Sequence, residues 1–208
     1  MERITALQQG LLAPATPAAT ATADPTAFAS TLQDASATAA GAPGTTAGAL
    51  GATGAAGVTA TAATPGQRAL QFAQAEVGQT EQPPGSNDSP RIAQYRKATA
   101  GSGVGPWCAY FASWAARQAG TPLGDAGQGF GAVSDVWAWA QRTGKAQPAG
   151  SKPAPGDLIV WGSEHIGIVE SVDPNGTIHT IEGNSSDAVS RRTYGPDGGG
   201  ATGYVHLG

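Results

Sequence analysis

Apolar positions recur along the second two thirds of the chain with two different periods. Over Gln67–Val77, Leu70, Ala73 and Val77 fall on one helical face, with Ala69 and Phe72 beside it, and Gly78 supplies a stop. The next stretch, Thr80–Pro90, is turn chemistry: Pro83-Pro84-Gly85, then Asn87-Asp88-Ser89-Pro90. Ile92 and Tyr95 predict a second, short helix over Arg91–Thr99. Phe111, Trp114 and Ala115 form the stripe of a third, Cys108–Ala119, ended by Gly120. Val136, Trp137 and Ala140 mark a fourth, Val133–Arg142. From Pro153 the period shortens. Leu158-Ile159-Val160-Trp161 suits a buried strand, and His165–Val172 and Thr177–Glu182 follow as a hairpin around Asp173-Pro174-Asn175-Gly176. Val189–Tyr194 and Tyr204–Leu207 read as the last strands, across the Gly198-Gly199-Gly200 loop. Helices followed by a meander of strands predict an α+β fold.

Composition divides the 208 residues into unlike parts. Residues 1–64 are mostly Ala, Thr, Gly and Pro, with Phe28 as the sole aromatic, and cannot bury enough apolar area to offset the entropy of ordering them. They are expected to be a disordered leader before a domain spanning 65–208. Ile4, Leu7, Leu11 and Leu12 do fall at helical spacing, which suits either a short docking helix or a frayed tail with incidental leucines. The first residues lack the basic segment and apolar core of a secretion signal. A net charge of -4 without a Lys/Arg stripe argues against nucleic acid as a partner. No apolar run approaches the ~20 residues of a membrane span.

The chain has one cysteine, so Cys108 forms no intramolecular disulfide. Gly101, Gly103, Gly105 and Pro106 precede it and a helical pattern follows, which places it at a helix N-terminus, where unpaired N–H groups and the helix dipole favour a thiolate. A solitary helical cysteine is as readily a small core residue. A nucleophile needs a base, and the base needs a group that holds its orientation. Of the three histidines, His165 opens a strand directly after a turn, His179 lies mid-strand and His206 stands near the C-terminus. Glu182 ends the strand that pairs with the one His165 begins, so the hairpin brings the two together. Asn184 follows as an auxiliary that orients the imidazole or bonds a substrate carbonyl. The Cys108 N–H is the natural oxyanion donor, with Asn87 as candidate for a second.

These residues carry a family resemblance. Trp107-Cys108-Ala109-Tyr110-Phe111-Ala112-Ser113-Trp114, Pro155-Gly156-Asp157-Leu158-Ile159-Val160-Trp161, His165-Ile166-Gly167-Ile168-Val169 and Ile181-Glu182-Gly183-Asn184 resemble, in order, the motifs of the CHAP family. Its members are cysteine, histidine-dependent amidohydrolases and peptidases of papain-like fold that cut bacterial peptidoglycan. The resemblance covers roughly Gln67 to Leu207. It implies Cys108 as nucleophile, His165 as general base, Glu182 as the orienting acid and Asn184 as a supporting residue. The implied function is cleavage of a wall amide bond through a thioester, by an N-acetylmuramoyl-L-alanine amidase or a peptide endopeptidase. The alternative is a wall-binding or structural component of a phage, flagellar or injection apparatus that does not cut.

No cofactor is expected. Glu81, Asn87 and Asp88 precede the nucleophile but make no closely spaced run of acidic ligands, so no metal is expected either. Trp137, Trp139 and Trp161 are read as core or rim residues, although a flat ring also stacks well on a sugar. The expected partner is peptidoglycan, met by a monomer. Delivery to the wall or periplasm would proceed without a recognisable signal peptide, with residues 1–64 docking to an export or appendage system.

Overall fold

The computed structural model describes residues 62–208 except Ser102. The leader through residue 61, with its candidate docking helix at Ile4–Leu12, lies outside the described residues. Among the described residues four helices precede a sheet: α1 (Pro65–Ala75), α2 (Pro90–Arg96), α3 (Cys108–Gln118) and α4 (Val133–Arg142). The strands are β1 (Ala146–Pro148), β2 (Leu158–Trp161), β3 (His165–Val172), β4 (Ile178–Glu182), β5 (Ser190–Tyr194) and β6 (Gly203–Val205). They form one antiparallel sheet in the order β1-β6-β2-β3-β4-β5. This is the α+β layout expected.

Local chemistry explains the helix starts. Thr64 accepts from the Gln67 N–H while the Gln67 side chain accepts from the Thr64 N–H, a reciprocal cap with Pro65 in the first turn. Ala63 and Thr64 are thus bonded to the domain, since the Arg68 guanidinium also donates to the Ala63 carbonyl. Ser89 caps α2 in the same way, again with proline at the first position. The α3 helix differs. Its N-cap residue is Trp107, and no side chain caps it.

The sheet separates two apolar clusters. Leu158, Val160, Ile166, Ile168, Ile181 and Val205 turn toward the helices and meet Ala69, Ala73, Phe111, Ala115 and Val136. Ile159, Val169, Ile178 and Tyr204 turn to the other face, where Ala201 and Trp161 cover them. The strand β1 escaped the reading of hydrophobic pattern. It is three residues long, ends in a proline, and exists through its pairing with β6 (Ala146 opposite Val205). A proline is tolerated there because β1 is an edge strand. Among the described residues no helix is long and apolar enough to cross a membrane.

Candidate active site

Cys108 is the first residue of α3 and is 5% exposed. His165 is the first residue of β3, paired with Trp161 of β2, and Glu182 is the last residue of β4. The hairpin register sets Ile168 opposite Ile181, so the His165 end of β3 and the Glu182 end of β4 lie together. His165 Nε2 stands 2.8 Å from Glu182 Oε2. With Nε2 committed, Nδ1 is the nitrogen left for the Cys108 side chain, which also engages the ring. The structure therefore brings together the three residues expected from the sequence.

The electrostatics of this trio are set by burial and by charge. Burial opposes charge on the His165 imidazole, but the Cys108 and Glu182 side chains outweigh it and raise its pKa to about 9. Burial likewise opposes ionisation of Glu182, which is 1% exposed. Its bonds from His165, Thr180 and Tyr194 prevail and hold its carboxyl below the usual carboxylate range.

Glu182 is held by more than the histidine. Thr180 Oγ1 donates to Oε1 at 2.6 Å, and Tyr194 Oη donates to the same oxygen at 2.9 Å. Thr180 is two residues back along β4, hence on the same face, whereas Tyr194 arrives from β5, where it pairs with Ile178. Trp161 completes the enclosure. Its ring stacks on His165 at a centroid distance of 5.5 Å and meets Tyr194 at 5.0 Å, while its indole N–H donates to the Gly198 carbonyl. Of the tryptophans assigned to core or rim, Trp161 is the one beside the imidazole. Gly167 is the remaining requirement, because a Cβ there would lie 2.8 Å from Glu182 Cγ.

Asn184 serves a different neighbour from the imidazole. It has a left-handed backbone (φ 57°), which asparagine tolerates better than most residues, and its amide lies 3.2 Å from that of Asn87. In the orientation that satisfies both ends of the amide, Nδ2 donates to Glu81 Oε1 at 3.2 Å and Oδ1 accepts from the Trp107 N–H at 3.1 Å. Asn184 thereby fixes the backbone N–H of Trp107, the residue immediately before the cysteine. Asn87 stands beside it, with its own N–H bonded to Glu81. Gly183, between Glu182 and Asn184, lets the end of β4 press on α3. A Cβ there would meet Phe111 at 2.6 Å and Trp107 at 2.9 Å.

Several of these residues were not identified from the sequence as parts of the site. Thr180 had a readable signal, since it sits two positions from Glu182 on one strand face. Tyr194, Gly167 and Glu81 had none, because their contacts depend on register and on loop packing. His179 pairs with Asp173 at 2.9 Å, and His206 with Asp157 at 2.7 Å. Of the residues weighed as metal ligands, Asp88 accepts from Arg96 at 2.7 Å and Glu81 from the Trp107 indole at 2.9 Å.

The fold and site define an α+β domain with a helix-borne cysteine, a strand-borne histidine and a buried acid. Residues 99–184 match the family model of the CHAP domain, a stretch that contains Cys108, His165, Glu182 and Asn184. No curated protein sequence matches the chain. Among solved structures, an N-acetylmuramoyl-L-alanine amidase from Staphylococcus aureus is similar at 18% identity and a TM-score of 0.40, over 53% of this chain and 34% of that one. The peptidoglycan hydrolase RipB from Mycobacterium tuberculosis is similar at 17% identity and a TM-score of 0.43, over 69% and 64%. The chain thus spans less than two thirds of either structure.

Proposed function

We propose that this protein hydrolyses an amide bond of bacterial peptidoglycan, with Cys108 as nucleophile, His165 as general base and acid, Glu182 as the orienting acid and Asn184 as a supporting residue. The observation that carries the reading is His165 set between the Cys108 side chain and a buried carboxylate at 2.8 Å. The CHAP match over the same residues supports the wall as substrate.

The thiolate attacks the amide carbonyl, and the carbonyl oxygen becomes an oxyanion beside the uncapped start of α3, where the Cys108 N–H serves as donor. A histidine that keeps its proton to about pH 9 is an imidazolium at neutral pH. It donates that proton to the leaving amine and leaves a thioester on Cys108. The now neutral ring takes a proton from water as the water attacks the thioester, and the acid product departs. In this reading the substrate is met at the wall or in the periplasm, and residues 1–64 serve delivery while the domain from residue 65 carries the reaction.

The test is mass analysis of fragments released from purified sacculi. Wild type is expected to release either intact stem peptides, the mark of an amidase, or cut peptides, the mark of an endopeptidase. Cys108→Ala is expected to release neither. Equal product from both proteins would overturn the assignment, and tight binding to sacculi with no cleavage from about pH 5 to 8 would favour a non-cutting wall component.

A further inference from the structure

One buried acid near the nucleophile has no part in the scheme above. Glu81 is 3% exposed and lies in the loop between α1 and α2. A buried carboxylate is costly unless its oxygens are bonded, and here both are. Oε1 accepts from the Trp107 indole N–H at 2.9 Å, and Oε2 accepts from the Asn87 N–H at 2.7 Å. Asn184 donates to Oε1 at 3.2 Å in the orientation that also lets it accept from the Trp107 N–H at 3.1 Å. The carboxylate thus grips Trp107 twice, directly at the ring and through Asn184 at the backbone. Its own backbone is pinned as well, because the Glu81 N–H donates to the Asp187 carbonyl at 2.9 Å and Thr80 pairs with Ala188.

Trp107 is the N-cap of α3, and no side-chain cap fixes that end of the helix. The peptide joining Trp107 to Cys108 carries the N–H that faces a developing oxyanion, and its plane sets the direction of the Cys108 side chain. We propose that Glu81 is a positioning residue for the nucleophile: by holding Trp107 at its indole and, through Asn184, at its backbone N–H, it sets the residue from which the Trp107–Cys108 peptide leads, so that the thiol is aimed at His165. This rests on the assignment of Cys108 and His165 as the reacting pair. It also gives Asn184 a defined role, as the link between Glu81 and the backbone of Trp107.

The experiment compares wild type, Glu81→Gln and Trp107→Phe in three measurements: kcat and KM on purified sacculi, the rate of Cys108 alkylation by iodoacetamide from about pH 5 to 9, and thermal unfolding. Glu81→Gln turns one acceptor into a donor that faces existing N–H donors. Trp107→Phe removes the indole N–H and keeps an aromatic ring against Tyr95 and Phe111. The expected result for Glu81→Gln is a fall in kcat of about tenfold or more with KM little changed. Alkylation should slow by a similar factor, because Cys108 is no longer held toward His165. Trp107→Phe should change in the same direction and by less.

An alkylation profile superimposable on wild type in Glu81→Gln would overturn the proposal. So would losses that follow the unfolded fraction alone, since they would make Glu81 a structural residue and nothing more. Wild type that alkylates normally yet leaves sacculi intact would sink the proposed function instead, and Glu81 would still stand or fall on the alkylation profile.

Discussion

At the scale of single residues, the site depends as much on missing atoms as on reactive ones. Gly167 is a case in point. Antiparallel pairing brings it against Glu182, and the carboxylate reaches His165 only because no Cβ stands 2.8 Å from Glu182 Cγ. Gly167→Ala is expected to push Glu182 off the imidazole and lower kcat by roughly 100-fold, the scale of loss that follows a misplacement of about 1 Å. Steady-state kinetics on sacculi would check this, with alkylation of Cys108 as a second measure. Thr180 and Tyr194 act from the opposite side, donating to one oxygen of Glu182 and leaving the other for the histidine. The meeting of Cys108, His165 and Glu182 was legible in the sequence because each sits at the predicted start or end of an element. The glycine and the tyrosine were not, because a strand's own pattern does not say which residue faces it across the sheet.

At the scale of elements, the end of β4 joins the two halves of the site. Glu182 turns toward the strand-borne histidine, Gly183 lies flat against α3, and Asn184 reaches the backbone N–H of Trp107, the residue before Cys108. Three successive residues therefore tie sheet, helix and loop together. Gly183→Ala would place a Cβ 2.6 Å from Phe111 Cβ in a closed aromatic cluster with Tyr95, Trp107 and Trp114. Overpacking of this kind costs about 1–3 kcal/mol. Urea unfolding should show the loss, accompanied by lower activity as α3 is displaced from β4. The element boundaries were read within a few residues from periodicity, and α4, β2 and β3 matched throughout. The exception is β1, whose sequence has no strand pattern and whose pairing comes entirely from β6.

At the scale of the whole molecule, the Cys108, His165 and Glu182 cluster also links stability to pH. The folded protein holds the His165 proton to about pH 9, against 6.5 for an unperturbed histidine. The stabilisation from this group is therefore complete below about pH 6.5 and disappears as pH rises through about 9. Glu182 behaves in the opposite sense. Its carboxyl is held below the ordinary 4.5, so its contribution is present above that pH and lost on acidification. Both contributions are complete only on the mildly acidic side of neutrality. Urea midpoints of wild type should decline between about pH 6.5 and 9, and His165→Ala should flatten that decline. A decline of equal slope in both proteins would place its origin elsewhere.

The sequence by itself determined the helices-then-strands order, the helix start that carries Cys108, and the hairpin that joins His165 to Glu182. These follow from local causes: hydrophobic period, turn residues, and the fact that hairpin ends meet. Tertiary structure alone decided that β6 inserts between β1 and β2, that Tyr194 and Gly167 serve Glu182, and that Asn184 attends the Trp107 peptide rather than the imidazole. Those features rest on register and loop packing between residues up to about a hundred positions apart, as with Asn87 and Asn184, and no local pattern encodes such a meeting.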